Sequence, residues 1–363
     1  MGRSFYKRHM KLKILVLALS GIGDALMFTP ALLRLMEKNP SAEIDILVMF
    51  KGARDIYQRI PGIANVHYYD FINSNSLSTL KYVLSLRKKY NATINVYPSN
   101  RKEYNIISFL LGAKKRAAVN YLRKDFANLG FLNNVTIIED DSLHNVEENI
   151  KLCEKLLGES FGEIPPLQIN FNEEEISFEA KYLHKQKISR DDLVIGFHPG
   201  CAVFKNHINR RWEPGNFAEL GKRLIEKQNA KVLLFGGPDE SNLREEIVDK
   251  IDSDNAISVE TDSLLKSVAV MKRCNVFVTN DSALMHIASA LKLNVVAIIG
   301  PTNTNYIRPW QTEHKIATLN LDCAPCFYYS PKPLTCTRVD VQYKCIKELS
   351  VDIVYNEVKK FLA

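Results

Sequence analysis

Several short segments of the sequence place glycine next to an acid, a hydroxyl or a cation just after a strand-like apolar run. The first is 20–24 (SGIGD), in which Gly21 and Gly23 allow a tight turn and Asp24 opens a helical pattern. A carboxylate there would face the cleft between two domains, and the alternative is that it only caps the helix and interacts with its dipole. The segment disfavours a nicotinamide site, because Leu26 stands where the dinucleotide fingerprint has its third glycine.

The segment 280–286 (NDSALMH) lies between a strand pattern and an apolar helix pattern. Ser282 and Ala283 would present unpaired backbone N–H groups at a helix N-terminus, a favourable position for a diphosphate. Asp281 would repel phosphate, so we expect it to accept a hydrogen bond from a sugar hydroxyl or to orient the turn. His286 lies one turn into the helix, and it either faces the same ligand or is a core histidine satisfied by the backbone.

Cations follow a third strand pattern, in the segments 198–201 (HPGC) and 209–212 (NRRW). Arg210 and Arg211 could neutralise the phosphates of a ligand, and the alternative is a solvated charge pair. We expect Trp212 to pack in the core rather than to stack on a ligand.

Two further turns end strand patterns in the same half of the chain. In 236–240 (GGPDE) the carboxylate of Glu240 could accept hydrogen bonds from ribose hydroxyls, and 300–302 (GPT) ends the last strong strand pattern. Because open parallel sheets bind ligands at the carboxyl ends of their strands, the turns together predict one pocket.

Four of the seven cysteines crowd near the end of the chain, as Cys323-x2-Cys326-x9-Cys336-x8-Cys345. The first pair has the spacing of metal ligands, although the later spacings are irregular for a zinc ribbon. A structural zinc, a disulfide and unpaired thiols are the alternatives, and unpaired thiols are favoured. We assign the cluster no catalytic part, expect it to lie remote from the reaction, and predict no metal in the active site.

These polar segments lie between strand and helix patterns that alternate regularly along the chain. The alternation predicts an α/β protein with parallel sheets and crossover helices. Strands are predicted at residues 13–19, 44–49, 94–97, 193–198, 232–235, 276–279 and 294–299, and the first two have the pattern of buried strands. Helices are predicted at residues 24–38, 77–90, 145–158, 216–228, 240–251, 282–291 and 351–362.

The length of 363 residues predicts about two domains. The alternation pauses at 163–172, which has two prolines and no strong period, so we place the boundary there and expect one domain at 1–168 and a second at 169–363. The terminal helix at 351–362 is expected to pack back toward the first domain. We expect two doubly wound domains that face each other across a cleft, and we detect no internal repeat.

The charge is divided unevenly along the chain. Residues 1–130 carry 21 Lys+Arg against 8 Asp+Glu, a net +13, whereas the remainder carries 27 against 33, a net −6. A basic surface attracts phosphates or anionic lipid headgroups, and a solvated basic face without a ligand is the alternative. Hydrophobic residues at 46% and charged residues at 25% exclude a disordered or fibrous chain.

The beginning of the chain has some features of a signal peptide, because Arg3, Lys7 and Arg8 precede the apolar run 14–22. No small-x-small cleavage site follows, and Asp24 interrupts the run before it could span a bilayer. The cysteine pattern is also unlike that of a secreted scaffold. We therefore expect a cytoplasmic protein without a transmembrane helix.

These motifs occur together in a recognisable order. They are 20–24 with 29–32 (TPAL), 198–200 (HPG), 211–212 (RW), 280–282 (NDS) with His286, and 300–302 (GPT). Over nearly the whole chain they resemble the ADP-heptose:lipopolysaccharide heptosyltransferases of glycosyltransferase family 9, and the Cys-x-Pro-Cys element at 323–326 resembles one branch of that family.

The resemblance implies a GT-B architecture, with the acceptor bound by the first Rossmann-like domain and the nucleotide sugar by the second. It implies inverting transfer of a heptose from ADP-heptose to a lipopolysaccharide or lipooligosaccharide core, without a metal ion or other cofactor. The implied partners are that donor and an anionic glycolipid or oligosaccharide, not a nucleic acid. With the basic first half, this predicts peripheral contact with the inner face of the cytoplasmic membrane.

The resemblance also implies roles for the residues at positions that match the family's motifs. Asp24 matches the acid that takes the proton of the acceptor hydroxyl, and Arg210 falls where the family commonly has a lysine near the donor phosphates. Ser282 and Ala283 match the turn that binds the diphosphate. The other donor-side assignments are Asp281, His286, Gly200, Cys201, Arg211 and Glu240, of which Glu240 most nearly matches an acid facing the nucleoside. The acceptor-side turn is assigned to Gly21 and Gly23.

The sequence departs from the family pattern at three places. Ala283 stands where glycine is frequent, Cys201 where a small hydroxyl residue is frequent, and the loop 202–209 is longer than usual. These departures leave the donor sugar open. The alternatives are a GT-B transferase or an epimerase that uses another nucleotide sugar, and a binding protein for a sugar nucleotide or glycan without turnover, which would need no general base.

Overall fold

The strands form two parallel six-stranded sheets, one in each half of the chain. A computed structural model of the chain describes residues 11–329 and 332–362. The basic residues considered above as part of a leader, Arg3, Lys7 and Arg8, lie outside these ranges. The first sheet has the order β3-β2-β1-β4-β5-β6. Its strands are β1 (Lys13–Ala18), β2 (Glu43–Val48), β3 (Asn65–Tyr68), β4 (Ala92–Asn95), β5 (Lys115–Asn120) and β6 (Val135–Ile138).

Helices cover both faces of the first sheet, which is why its central strands read as continuous apolar runs. They are α1 (Ile22–Met27), α2 (Thr29–Lys38), α3 (Lys51–Gln58), α4 (Ser76–Ser85), α5 (Lys102–Leu110) and α6 (Asn145–Leu157). The single helix predicted at 24–38 is instead split at Phe28. Pro30 has no N–H to donate to the carbonyl of Leu26, and the Thr29 hydroxyl donates to that carbonyl instead, at 2.7 Å.

The second sheet has the order β12-β11-β10-β7-β8-β9. Its strands are β7 (Val194–His198), β8 (Lys231–Leu234), β9 (Ala256–Ser258), β10 (Val276–Asn280), β11 (Asn294–Ile298) and β12 (His314–Ala317). Numbered within its own half, each sheet has the Rossmann order 3-2-1-4-5-6. The two halves therefore repeat one topology, although the sequence shows no repeat.

The helices of the second half are α7 (Glu173–Lys185), α8 (Pro214–Gln228), α9 (Ser241–Ile251), α10 (Leu264–Met271), α11 (Ala283–Ala290), α12 (Thr304–Ile307), α13 (Lys344–Lys347) and α14 (Val351–Lys359). The expectation that the terminal helix packs toward the first domain is wrong. Helix α14 packs against α8, β11 and β12, because Val354 and Val358 on its apolar face join the core of the second half.

The two halves share a buried apolar interface. Leu26 and Met27 of α1 and Ile56 of α3 belong to the same core cluster as Leu265 of α10 and Ile287 of α11. This contact brings the turn after β1 against the helix that follows β10. No helix in the described residues is both long and apolar enough to cross a bilayer.

Candidate active site

The predicted polar turns meet between the two sheets. In each sheet the strand order reverses beside the first strand of that half, between β1 and β4 and between β7 and β10. Open α/β sheets bind ligands in the crevice at this reversal. Asp24 follows β1, Gly200 follows β7, and Asp281 and Ser282 follow β10. The topology therefore directs these residues to one crevice.

Asp24 lies in the first turn of α1 and is half-buried. Its Oδ2 accepts a hydrogen bond from the backbone N–H of Gly21 at 3.0 Å. Burial raises the pKa of Asp24 to about 7, against the lowering effect of that hydrogen bond; nearby Asp281 raises it further and Arg210 lowers it. The carboxyl group thus caps the helix, as one interpretation proposed, and also titrates in the range suited to a general base.

His286 faces α1 from the opposite half of the molecule. Its side chain is buried, and a Cβ added to Gly23 would lie 2.7 Å from its Cδ2 atom, so only a glycine permits this approach. Burial lowers the pKa of His286 to about 4, which keeps the ring neutral at physiological pH. It is not a histidine satisfied by the backbone, because Nδ1 has no hydrogen-bond partner in the described residues.

Arg210 and Asp281 form an ion pair beside the start of α11. Nη1 of Arg210 lies 2.5 Å from Oδ2 of Asp281, which also accepts a hydrogen bond from the Thr302 hydroxyl at 2.6 Å. The other amino group of Arg210 lies 3.0 Å from Nδ1 of His207, and its guanidinium carbon lies 5.6 Å from the centre of the Phe327 ring. Of the two roles expected for Asp281, these contacts favour orientation of the turn.

Ser282 precedes α11 without capping it. Its hydroxyl lies 2.8 Å from Nδ1 of His198 and 3.2 Å from the Thr279 hydroxyl, so the side chain is directed toward the sheet. Within the described part of the chain, the N–H groups of the first turn, beginning with Ala283, therefore have no side-chain acceptor. This is the arrangement in which a helix N-terminus binds an anion.

Glu240 joins the other strand ends in a second set of polar contacts. Its Oε2 lies 3.1 Å from Nε2 of His198 and accepts the N–H of Gly237 at 3.0 Å, and its Oε1 accepts from Arg211 at 3.3 Å. Burial alone would raise the pKa of Glu240, but these partners hold it below its ordinary value. Gly200 is required here, because a Cβ would lie 1.7 Å from Oε1 of Glu240.

Two residues of the sequence motifs act as scaffold for these turns. The amide of Asn280 donates to the carbonyl of Pro199 at 2.7 Å and accepts the backbone N–H of Trp212 at 3.0 Å. The indole of Trp212 is fully buried and donates to the carbonyl of Leu349 at 2.7 Å, so the prediction that it packs is confirmed. Cys201 is also buried; its carbonyl accepts from Arg211 at 2.9 Å.

The seven cysteines are free thiols. Burial and the neighbouring thiols of the late cluster raise the pKa of Cys345 to about 11. The expectation that this cluster lies remote from the site is wrong for Cys326. Its N–H donates to the carbonyl of Pro301 at 2.9 Å, and the next residue is Phe327, whose ring lies over Arg210. Within residues 11–329 and 332–362, no group of three or more His, Cys, Asp or Glu side chains is arranged to hold a metal ion.

Sequence reasoning missed three residues that the fold adds to the site. His207 and Phe327 contact Arg210, and the half-buried Tyr329 lies close enough to Asp24, Asp281 and Arg210 for their charges to act on its hydroxyl. The Tyr329 hydroxyl accepts a hydrogen bond from Asn145 of the first half at 2.8 Å. The only sequence signal for Phe327 and Tyr329 was an aromatic run after the Cys-x-Pro-Cys element.

Two facing Rossmann-like sheets with polar sites at their strand-order reversals define the GT-B class of glycosyltransferases, as predicted. The sequence pattern of glycosyltransferase family 9 (heptosyltransferase) matches residues 81–334. The chain belongs to this family and is a glycosyltransferase.

The chain is similar to individual members along most of its length. It is 26% identical over 362 residues to lipooligosaccharide heptosyltransferase 2 of Campylobacter jejuni, covering 97% of this chain and 98% of that protein. It is 28% identical over 324 residues to lipopolysaccharide heptosyltransferase 2 of Escherichia coli, covering 85% and 88%. The solved structure of E. coli ADP-heptose LPS heptosyltransferase II has the same fold, with a TM-score of 0.71, 23% identity and coverage of 97% and 98%.

Proposed function

We propose that the protein transfers a heptose from ADP-heptose to a lipopolysaccharide or lipooligosaccharide core acceptor, with inversion at the anomeric carbon and without a metal ion. Heptosyltransferase relatives in core synthesis support the substrate class. The observation that carries the mechanism is the position of Asp24, a carboxyl with a pKa of about 7, within range of the charges of Arg210 and Asp281.

In this proposal Asp24 is the general base. It removes the proton of the acceptor hydroxyl as that oxygen attacks the anomeric carbon and the bond to the diphosphate breaks. Attack by the hydroxyl on the face opposite the leaving group gives the inverted configuration. A protein that only binds a sugar nucleotide would have no need for a carboxyl tuned in this way.

The leaving diphosphate gains negative charge in the transition state, and two features of the second half can stabilise it. Arg210 supplies a guanidinium, and the first turn of α11, from Ala283, supplies backbone N–H groups. Their effect is larger on the transition state than on the ground state because charge develops there. Glu240, whose lowered pKa keeps it ionised, is proposed to accept hydrogen bonds from the nucleoside hydroxyls.

The direct test is incubation of the purified protein with ADP-heptose and a lipooligosaccharide core acceptor, with the product read by mass spectrometry. We expect the acceptor to gain one heptose, NMR to show the opposite anomeric configuration from the donor, and activity to persist with EDTA. Transfer from UDP- or GDP-sugars only, or epimerisation of the donor without transfer, would overturn the proposal.

ADP-heptose is expected to raise the melting temperature, and ADP to a lesser degree. A ligand at 100 times its dissociation constant stabilises the folded state by about 2.7 kcal/mol. Differential scanning fluorimetry with ADP-, UDP- and GDP-compounds measures this shift. A response to UDP- or GDP-sugars in the absence of a response to ADP compounds would contradict the donor assignment.

The pH dependence of kcat/KM is expected to report Asp24. A general base must be ionised, so activity should fall below the pKa of about 7, by about tenfold per pH unit, and level off above it. A pH profile of kcat/KM for the acceptor, obtained from initial rates at subsaturating acceptor, checks this. An activity that stays constant down to pH values near the ordinary pKa of an aspartate would contradict a raised pKa at the base.

We also propose that the first half approaches its acceptor at the inner face of the cytoplasmic membrane. The support is the net +13 of residues 1–130, since glycolipid cores and inner-leaflet headgroups are anionic.

A further inference from the structure

Helix α4 exposes apolar side chains on the side that faces away from its sheet. Leu77, Leu80 and Leu84 are 63%, 42% and 41% exposed, and their spacing places them along one side of the helix. The opposite side is used for the core, where Val83 and Leu86 pack beneath. Apolar side chains thus lie on the outer as well as the inner side of α4, and the outer side has no partner in the described chain.

Neighbouring elements also expose apolar side chains. Helix α5 exposes Phe109, and two 3-10 helices after β5 (Phe126–Asn128 and Gly130–Leu132) expose Phe126 and Phe131, with Phe126 at 80%. The two phenylalanine rings lie 5.4 Å apart. We call Leu77, Leu80, Leu84, Phe109, Phe126 and Phe131 the outer apolar face.

Hydrogen bonds hold the supporting elements of this face side by side. Arg87, just after α4, donates to the carbonyl of Leu110 in α5 at 3.3 Å. Asn105 of α5 donates to the carbonyl of Asn128 in the first 3-10 helix at 2.8 Å. The outer apolar face is therefore presented by elements fixed to one another and to the sheet.

Cations surround the outer apolar face. Residues 76–131 carry 11 Lys+Arg against 2 Asp+Glu, a net +9. Lys81, Lys88, Lys89, Lys114 and Lys124 are exposed, and none of them forms an ion pair in the described part of the chain. Free lysines around exposed leucine and phenylalanine are the composition of a segment that binds at a membrane interface.

We propose that the outer apolar face docks on the surface of an anionic phospholipid bilayer, with its leucines and phenylalanines at the headgroup boundary and its lysines on lipid phosphates. The proposal deepens and rests on the proposed function, in which the acceptor is a membrane glycolipid. A second copy of the chain is a poorer occupant, because two faces of net +9 would repel each other. A nucleic acid would leave the apolar side chains unused.

The location of the face relates docking to the reaction. Phe126 lies shortly after the carboxyl end of β5, and Arg101 precedes α5 at the same edge of the sheet, where the crevice opens. Lys205 of the second half is close enough to Arg101 for their charges to interact. A bilayer beneath α4 and α5 would therefore lie beside the entrance that an anchored acceptor must use.

The test is co-sedimentation of the purified full chain with vesicles of phosphatidylethanolamine and phosphatidylglycerol, compared with phosphatidylcholine vesicles. We expect binding to the anionic vesicles that weakens as salt rises. Leu77→Ser/Leu80→Ser/Leu84→Ser should lower vesicle affinity by at least about tenfold. Lys81→Gln/Lys88→Gln/Lys89→Gln should lower it by about a hundredfold at low salt.

Matched controls come from exposed positions of the second half: Ile176→Ser with Val339→Ser, and Lys222→Gln with Lys227→Gln. These should bind vesicles like the original chain. Absent binding to anionic vesicles, or equal losses in the face and control variants, would overturn the proposal. A third outcome would also overturn the proposal: a leucine triple variant that binds vesicles like the original chain but has a different sedimentation coefficient in their absence. The outer apolar face would then be the contact surface with a second copy of the chain.

Activity separates this proposal from the proposed function. With a deacylated, water-soluble acceptor the face variants should keep the kcat of the original chain, and with the acceptor embedded in anionic vesicles they should lose at least about tenfold in rate. If the protein binds vesicles through the outer apolar face but transfers heptose to neither acceptor, the binding would support docking and the absence of transfer would refute the proposed function. Equal loss with both acceptors would overturn docking as the role of these residues.

Discussion

Replacing Asp24 by asparagine is expected to lower kcat by at least about 10²-fold without lowering the melting temperature. Asparagine can still accept the Gly21 N–H bond, which is 3.0 Å long, but its amide cannot take a proton. The raised pKa also determines whether the charge of Asp24 stabilises or destabilises the folded protein. An aspartate whose folded pKa is about 7 disfavours folding as pH rises from its ordinary pKa toward 7, so removal of the charge should not destabilise the protein at neutral pH.

Steady-state kinetics, binding of ADP and thermal melting should be measured on the same Asp24→Asn preparation. ADP affinity should stay within about twofold, because the substitution does not touch the proposed diphosphate contacts. Near-normal turnover would contradict the general-base role and leave Asp24 with helix capping alone.

Asp45→Asn is the matched control for this substitution. Asp45 lies in β2, where its carboxylate is bound by Tyr90 at 2.6 Å, Asn65 at 3.0 Å and His67 at 3.1 Å. Burial opposes ionisation there, but these hydrogen bonds hold the pKa of Asp45 below its ordinary value. Its loss should therefore lower the melting temperature and leave kcat nearly unchanged, the opposite pattern to Asp24→Asn.

In the interior of the sheets β5 could not be predicted, because it begins with Lys115 and Arg116, but the other seven strands there could be predicted because burial on both faces leaves an unbroken apolar run, as in β1 and β10. The edge strands β3 and β12 could not. Each is only four residues long and largely half-exposed, so it lacks both the length and the pattern of a buried strand. The shared topology of the halves was also hidden, since strand order is a property of pairing and not of composition.

The strand-end turns could be predicted because glycine, acid and hydroxyl residues interrupt apolar runs there. Their mutual contacts could not. Arg210 and Asp281 are 71 positions apart, and no local pattern indicates that they pair. Phe327 is farther still from Arg210 along the chain, and reaches it because the segment after the Cys-x-Pro-Cys element is hydrogen-bonded to Pro301. A sequence motif identifies a turn, but the residues that contact that turn depend on the fold.

Arg210→Ala is expected to lower kcat/KM by about 10²- to 10³-fold, with weaker ADP binding as well as slower turnover. Both effects follow if the guanidinium meets the diphosphate before and during its departure, whereas Asp24→Asn affects turnover alone. A lysine would keep a positive charge beside the diphosphate, so Arg210→Lys should keep most of the activity.

The ion pair complicates this experiment, because Arg210→Ala also leaves the buried carboxylate of Asp281 without its cation. Breaking such a pair is destabilising, by about 3 kcal/mol or more. Arg210→Ala combined with Asp281→Asn removes both charges and should recover much of the lost melting temperature. If Arg210 acts on the donor, the double variant will remain at least about 10²-fold impaired in kcat/KM, because no cation faces the diphosphate. If Arg210 serves only to neutralise Asp281, activity will return together with stability, and its assignment to the donor phosphates will have to be given up.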